Sequence, residues 1–191
     1  MDSENVKRDC EQGIMINWRE LTTNEQMAAL QNVARKRHIP PQAVEKDFWV
    51  TTILQIVFSM PFADSLVFKG GTSQRKVFGK IERFSEDFDL AIDCTNFGLE
   101  GDLIKRQLKN LRKQSSTFVR YTFLGELQEV FRQHGLTELS ATAEPDGEGD
   151  ATYPEPRKIF IEYPSLFRNS LDYIKPRVML ETGGNNKKNT S

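Results

Sequence analysis

Cysteine is scarce, and the two present, Cys10 and Cys94, lie far apart in the chain. They make neither a metal-ligand spacing nor a disulfide framework, which fits a reducing cytoplasm. Neither sign of charge dominates. Twenty-six Lys and Arg against 27 Asp and Glu leave a net charge of −1, so any attraction to nucleic acid must come from local patches. Long apolar runs are missing as well. The richest, Phe48 to Phe62, is interrupted by Thr51, Thr52, Gln55 and Ser59 and is too short and polar to cross a bilayer. The start, Met1-Asp-Ser-Glu-Asn5, lacks the basic-then-apolar order of a signal peptide. A soluble, cytoplasmic protein with no membrane association is therefore expected. No internal repeat is visible.

What is present is the composition of a globular chain. Of 191 residues, 38% are hydrophobic and 28% charged, with thirteen Phe, enough for one domain of ordinary size. Residues 1–20 are polar and without period. Thr22-x-x-Glu25 is a capping-box pattern that opens a helix to about residue 37, with Met27, Leu30, Val33 and Ala34 at helical spacing. Pro41 suits the first turn of a second helix, from Gln42 to about Phe58, apolar around much of its circumference and buried on more than one side. Within it, Glu45-Lys46-Asp47 is either an exposed face or a polar set aimed at a site. Strands are expected at Leu66–Lys69, Phe88–Ile92, Leu139–Ala143, Lys158–Tyr163 and Arg177–Thr182. Helices are expected over 72–78, 99–118 and 123–134, with an acidic, Pro/Gly-rich loop at 144–150. His38 and His134 stand at helix C-termini and read as caps rather than ligands. The polar stretch 183–191 reads as a frayed tail. Interleaved helices and strands predict an α/β (α+β) fold, a mixed sheet flanked by helices, with an N-terminal helical segment. Its domain spans 21–182, divided into a helical lead-in, 21–60, and a core, 61–182.

The chemistry is concentrated in Leu66-Val-Phe-Lys-Gly-Gly-Thr-Ser73 and Arg83-Phe-Ser-Glu-Asp-Phe-Asp-Leu90. These read as a strand, a diglycine turn opening a helix, and a second strand bearing two aspartates. A strand repeats its facing every second residue, so Asp87 and Asp89 project from one side, where they can share divalent metal ions. The diglycine admits backbone N–H groups close to a phosphate at the positive end of the following helix. Gly70, Gly71, Thr72 and Ser73 would hold a triphosphate, with Arg83 supplying charge just ahead of the acidic pair. Glu181 would be a third carboxylate if its strand lies beside the Asp-x-Asp strand. A diglycine by itself makes a turn, and Asp-x-Asp by itself a solvated strand end. Their combined order, strand, diglycine, helix, acidic strand, is what points to metal-dependent nucleotidyl or phosphoryl transfer. The cationic segment 99–118 reads as a solvated face or as an RNA-facing patch.

Val44-Glu-Lys-Asp-Phe-Trp-Val50, the two segments above, and Lys175-Pro-Arg-Val-Met-Leu-Glu181 resemble, in that order, the AbiEii/AbiGii nucleotidyltransferase toxins of the polymerase-beta-like nucleotidyltransferase superfamily. The resemblance covers about residues 40–182. It implies the toxin of a bacterial toxin–antitoxin or abortive-infection system, transferring a nucleotide from a nucleoside triphosphate with Mg²⁺, to RNA such as tRNA, and neutralised by a cognate antitoxin protein. It also implies that Gly71 and Ser73 bind phosphate, that Asp87 and Asp89 bind metal, and that Glu181 is the later acidic residue. In the family a basic residue often precedes that acid by two positions; here Met179 stands there, with Arg177 further back. Family members continue into a further, mostly helical region, so the chain reads as C-terminally shortened. That leaves a second expectation, a catalytically degenerate member that only binds antitoxin or nucleotide, and a third, a kinase-like antibiotic-modifying transferase differing in acceptor.

Overall fold

A computed structural model describes residues 18–68, 87–144, 157–167 and 174–185. Two compact units divide the chain: residues 1–55 with 164–176, and residues 56–163 with 177–191. The division falls inside a helix and assigns 164–176 to the first unit.

The first unit is built on helix α1 (Thr23–Arg37) and most of helix α2 (Pro41–Ser59). Thr22 caps α1 as the sequence indicates. Its hydroxyl accepts from the Glu25 amide at 3.4 Å, while the Glu25 carboxylate accepts from the Thr22 amide at 2.7 Å, satisfying two otherwise orphaned donors. The helix ends at His38, whose left-handed backbone (φ 54°) lets its amide reach the carbonyls of Ala34 and Arg35. In α2, Glu45 and Lys46 are buried with Trp49 and Val50, which removes the exposed-face reading of Glu45-Lys46-Asp47. The Phe48 ring packs tilted against Trp18, with centroids 4.4 Å apart.

The second unit is a five-stranded sheet and a helical layer. Strands β1 (Leu66–Phe68), β2 (Asp87–Asp93), β3 (Ser140–Ala143), β4 (Arg157–Glu162) and β5 (Arg177–Asn185) lie in the order β1-β2-β5-β4-β3. Only β2 and β5 pair in parallel. Parallel neighbours need a long crossover, and everything between residues 94 and 176 supplies it. β5 runs three residues beyond Thr182, pairing Gly183, Gly184 and Asn185 with Ala91, Ile92 and Asp93. The first part of the expected tail is therefore strand: backbone pairing needs no apolar side chain.

The strands' two-residue period divides the sheet into unlike faces. On one, Phe88, Leu90 and Ile92 of β2, Val178 and Leu180 of β5, and Ile159 and Ile161 of β4 have no exposure at all. At roughly 1.5–3 kcal/mol for each large apolar side chain fully removed from water, this face holds the strands in register. Helix α3 (Lys105–Thr117), a π turn (Phe118–Phe123) and helix α4 (Leu124–Gln133) form one continuous helical run. α3 packs on β5, the π turn on β4 and α4 on β3; Val119, Phe123, Leu127 and Phe131 are buried, and Leu111 of α3 clusters with Cys94 and Leu103. The cationic helix starts at Lys105 rather than near residue 99, because Gly98 and Gly101 take positive φ values of 68° and 71°, a conformation that breaks a helix. No helix among the described residues is long and apolar enough to cross a membrane.

Candidate active site

The face of the sheet opposite the apolar core carries the candidate site residues whose side chains are described. Asp89 on β2 is register partner to Glu181 on β5, and Glu181 is in turn partner to Lys158 on β4. The condition set by the sequence, that the strand of Glu181 lie beside the Asp-x-Asp strand, is met. Adjacent strands lie about 4.8 Å apart, so acid, acid and base form one row across three strands. All three are half-buried. The facing follows from the core: Phe88, Leu90, Leu180 and Ile159 must point into the helical layer, so positions 89, 181 and 158 point the other way.

Asp87 begins β2 and pairs through its backbone with Met179; its side chain lies outside the described residues. So do Gly70, Gly71, Thr72, Ser73 and Arg83, and with them the expected helix over 72–78. Among the described residues no group of three or more His, Cys, Asp or Glu side chains is placed to hold a metal ion. The donors that are described, Asp89 and Glu181, are hard carboxylate oxygens on neighbouring strands, the type that Mg²⁺ prefers.

Nothing local in the sequence marks Lys158. The resemblance puts the basic group two residues before Glu181, with Arg177 further back, along the same strand. Arg177 does share the face of Glu181, but its guanidinium lies over the Phe160 ring at 4.7 Å, a cation–π contact one row removed. The cation beside Glu181 comes instead from β4. Its sequence signal is parity, since Lys158, Phe160 and Glu162 alternate with Ile159 and Ile161, but the register that brings it to Glu181 spans two separate segments.

In the first unit, Glu45 accepts a hydrogen bond from the Ser165 hydroxyl at 2.6 Å and from the Leu166 amide at 2.7 Å. Burial pushes its carboxyl above the usual value, and these two donors offset part of that rise. The contact ties the connection between β4 and β5 to α2.

A family model described as nucleotidyl transferase AbiEii toxin, type IV TA system, matches residues 53–188. The chain belongs to the AbiEii nucleotidyltransferase toxin family. The matched span of this AbiEii member takes in all five strands and the helical layer, hence the whole row of Asp89, Glu181 and Lys158. Val44–Val50 precedes it. No curated protein matches the chain. Membership makes it a nucleotidyltransferase-family toxin of toxin–antitoxin type, and its mixed sheet flanked by helices is the fold the resemblance led one to expect.

Proposed function

We propose that this AbiEii member is a Mg²⁺-dependent nucleotidyltransferase that moves a nucleotide from a nucleoside triphosphate to an RNA acceptor such as tRNA. The observation that carries the reading is the register of Asp89 with Glu181 on a half-buried sheet face. Asp87 and Asp89 would hold Mg²⁺, since the two-residue repeat of β2 assigns both positions to one face. When bound, the ion supplies charge neutralisation of the transferring phosphate and a lowered pKa for the attacking hydroxyl.

The chain's own groups do the rest. Gly70, Gly71, Thr72 and Ser73 would bind the triphosphate through backbone amides and the Ser73 hydroxyl, and Arg83 would add charge. Glu181 orients the acceptor hydroxyl and takes its proton. Lys158, the register partner of Glu181 on β4, adds positive charge beside that carboxylate. The acceptor oxygen attacks the α-phosphorus in line and pyrophosphate leaves. The family supports a cognate antitoxin protein as partner, and the lack of a spanning helix among the described residues fits a soluble, cytoplasmic setting.

Incubation with each labelled triphosphate and total cellular RNA tests donor, acceptor class and activity together. Label enters RNA with wild type and not with Asp89→Ala. Incorporation that survives this substitution refutes the assignment.

A further inference from the structure

Away from the acidic face, α3 and the π turn after it carry a run of charge of one sign. Between Asp102 and Glu126 the sequence carries six Lys or Arg and not one Asp or Glu, in a chain whose net charge is −1. Surface helices ordinarily intersperse the two signs and gain from i,i+4 pairs; this stretch has none to form. Lys105, Arg106, Lys109, Arg112 and Lys113 are all exposed. Their three- and four-residue spacings gather them on one side of α3, away from the buried Leu111 and Ser115. Most side chains among them are polar, Asn110 and Ser116 for example, and Ile104, at the head of α3, is the exposed apolar exception.

The π turn adds a second, independent feature. Phe118 is drawn inward, edge-on to Phe62 at 5.0 Å and to Phe97 at 5.9 Å, and Val119 and Phe123 are wholly buried. With those three turned in, Tyr121 is left outside at 69% exposure. Turns of this type are rare and frequent at functional sites. An exposed ring at the end of a cation stripe is the pairing that single strands use, phosphates along the charges and a base on the aromatic face.

We propose that α3 and the π turn form a ridge that binds single-stranded RNA through its phosphate backbone, with Tyr121 stacking on a base. The ridge belongs to the helical layer over the apolar face of the sheet, whereas Asp89 and Glu181 stand on the other face. It therefore goes beyond the transfer reading and requires neither triphosphate nor the acidic pair.

The test is fluorescence anisotropy of a short labelled polyuridine strand with the full chain, without triphosphate, over a salt series. Wild type binds, and affinity falls as salt rises. The triple variant Lys105→Gln, Lys109→Gln, Lys113→Gln binds roughly tenfold or more weakly at low salt. Its slope of log affinity against log salt is shallower by about 2, as three lost phosphate contacts on a single strand require. Tyr121→Ala weakens binding roughly fivefold or more and leaves the slope unchanged. Asp89→Ala binds like wild type, so a failed transfer assay leaves this result standing. A triple variant with wild-type affinity and slope overturns the proposal. So does a wild-type chain that ignores the strand at low salt yet binds phosphatidylserine vesicles.

Discussion

Asp89 and Glu181 are direct register partners across the parallel strands β2 and β5, two carboxylates side by side on a half-buried face. Like charges opposite one another in a sheet are destabilising. The fold carries this cost because the rows on either side of each strand position, Phe88 with Leu180 and Leu90 with Thr182, are locked into the core. Asp89→Asn should leave stability unchanged or raise it by up to about 1 kcal/mol. Glu181→Gln also gives up the pairing with Lys158, so its net change should stay within about 1 kcal/mol of zero. Each should also lower nucleotide transfer by roughly 100-fold or more, the scale of a lost acid–base group. Urea titration and labelled-nucleotide incorporation on the same preparations check both halves. Destabilisation by Asp89→Asn would mean that the pair is structural.

Lys158 flanks Glu181 on the side away from Asp89 and gives that carboxylate its only register partner of opposite charge. Lys158→Gln should cost about 0.2–1 kcal/mol, the range for an opposite-charge cross-strand pair. The same change made in a Glu181→Gln background should cost nothing measurable. A double-mutant cycle in urea reads the coupling directly, and equal costs in both backgrounds would show that Lys158 does not act through Glu181.

Leu180 lies between Phe88 and Ile159 on the buried face and is the immediate neighbour of Glu181. All three of these apolar residues have zero exposure. Leu180→Ala should destabilise the chain by about 2–5 kcal/mol through lost burial and the cavity left behind. Transfer activity should fall even where the chain remains folded, because the strand that aims Glu181 is no longer held from behind. Thermal melts paired with incorporation assays distinguish the two effects; full activity in a folded Leu180→Ala chain would separate the core from the aim of Glu181.

The fold was legible where local chemistry decides it. The Thr22–Glu25 capping box, Pro41 at the head of α2 and the alternation Ile159, Ile161 are patterns read within a few residues, and each marks an element present in the structure. The sequence places the start of α3 too early because Leu103 and Leu108 continue a helical period upstream, while Gly98 and Gly101 at positive φ overrule it. Along the chain the π turn reads as a break between two helices, for it accompanies the aromatic packing of Phe118 on Phe62 and Phe97, which local sequence does not show. The same limit hid Lys158. Register between distant strands is set by which residues share a core row, and a one-residue slip would have sent every side chain to the other face.

Glu45 offers a prediction about pH in the first unit. Burial raises its carboxyl above the ordinary value, against the hydrogen bonds from Ser165 and Leu166, so the folded state holds the proton more tightly than the unfolded chain. Between the unfolded value, near 4.5, and the raised folded value, the native state binds more protons. Stability must therefore fall as pH rises through that window and level off above it. Glu45→Gln removes the titrating group and should flatten that part of the profile, with the largest gain over wild type on the alkaline side. Ser165→Ala deletes a donor that stabilises the ionised form, which should raise the folded value further and extend the slope to higher pH. Denaturant titrations of the three chains at successive pH values supply the test, and parallel profiles for wild type and Glu45→Gln would show that this carboxylate titrates alike in both states.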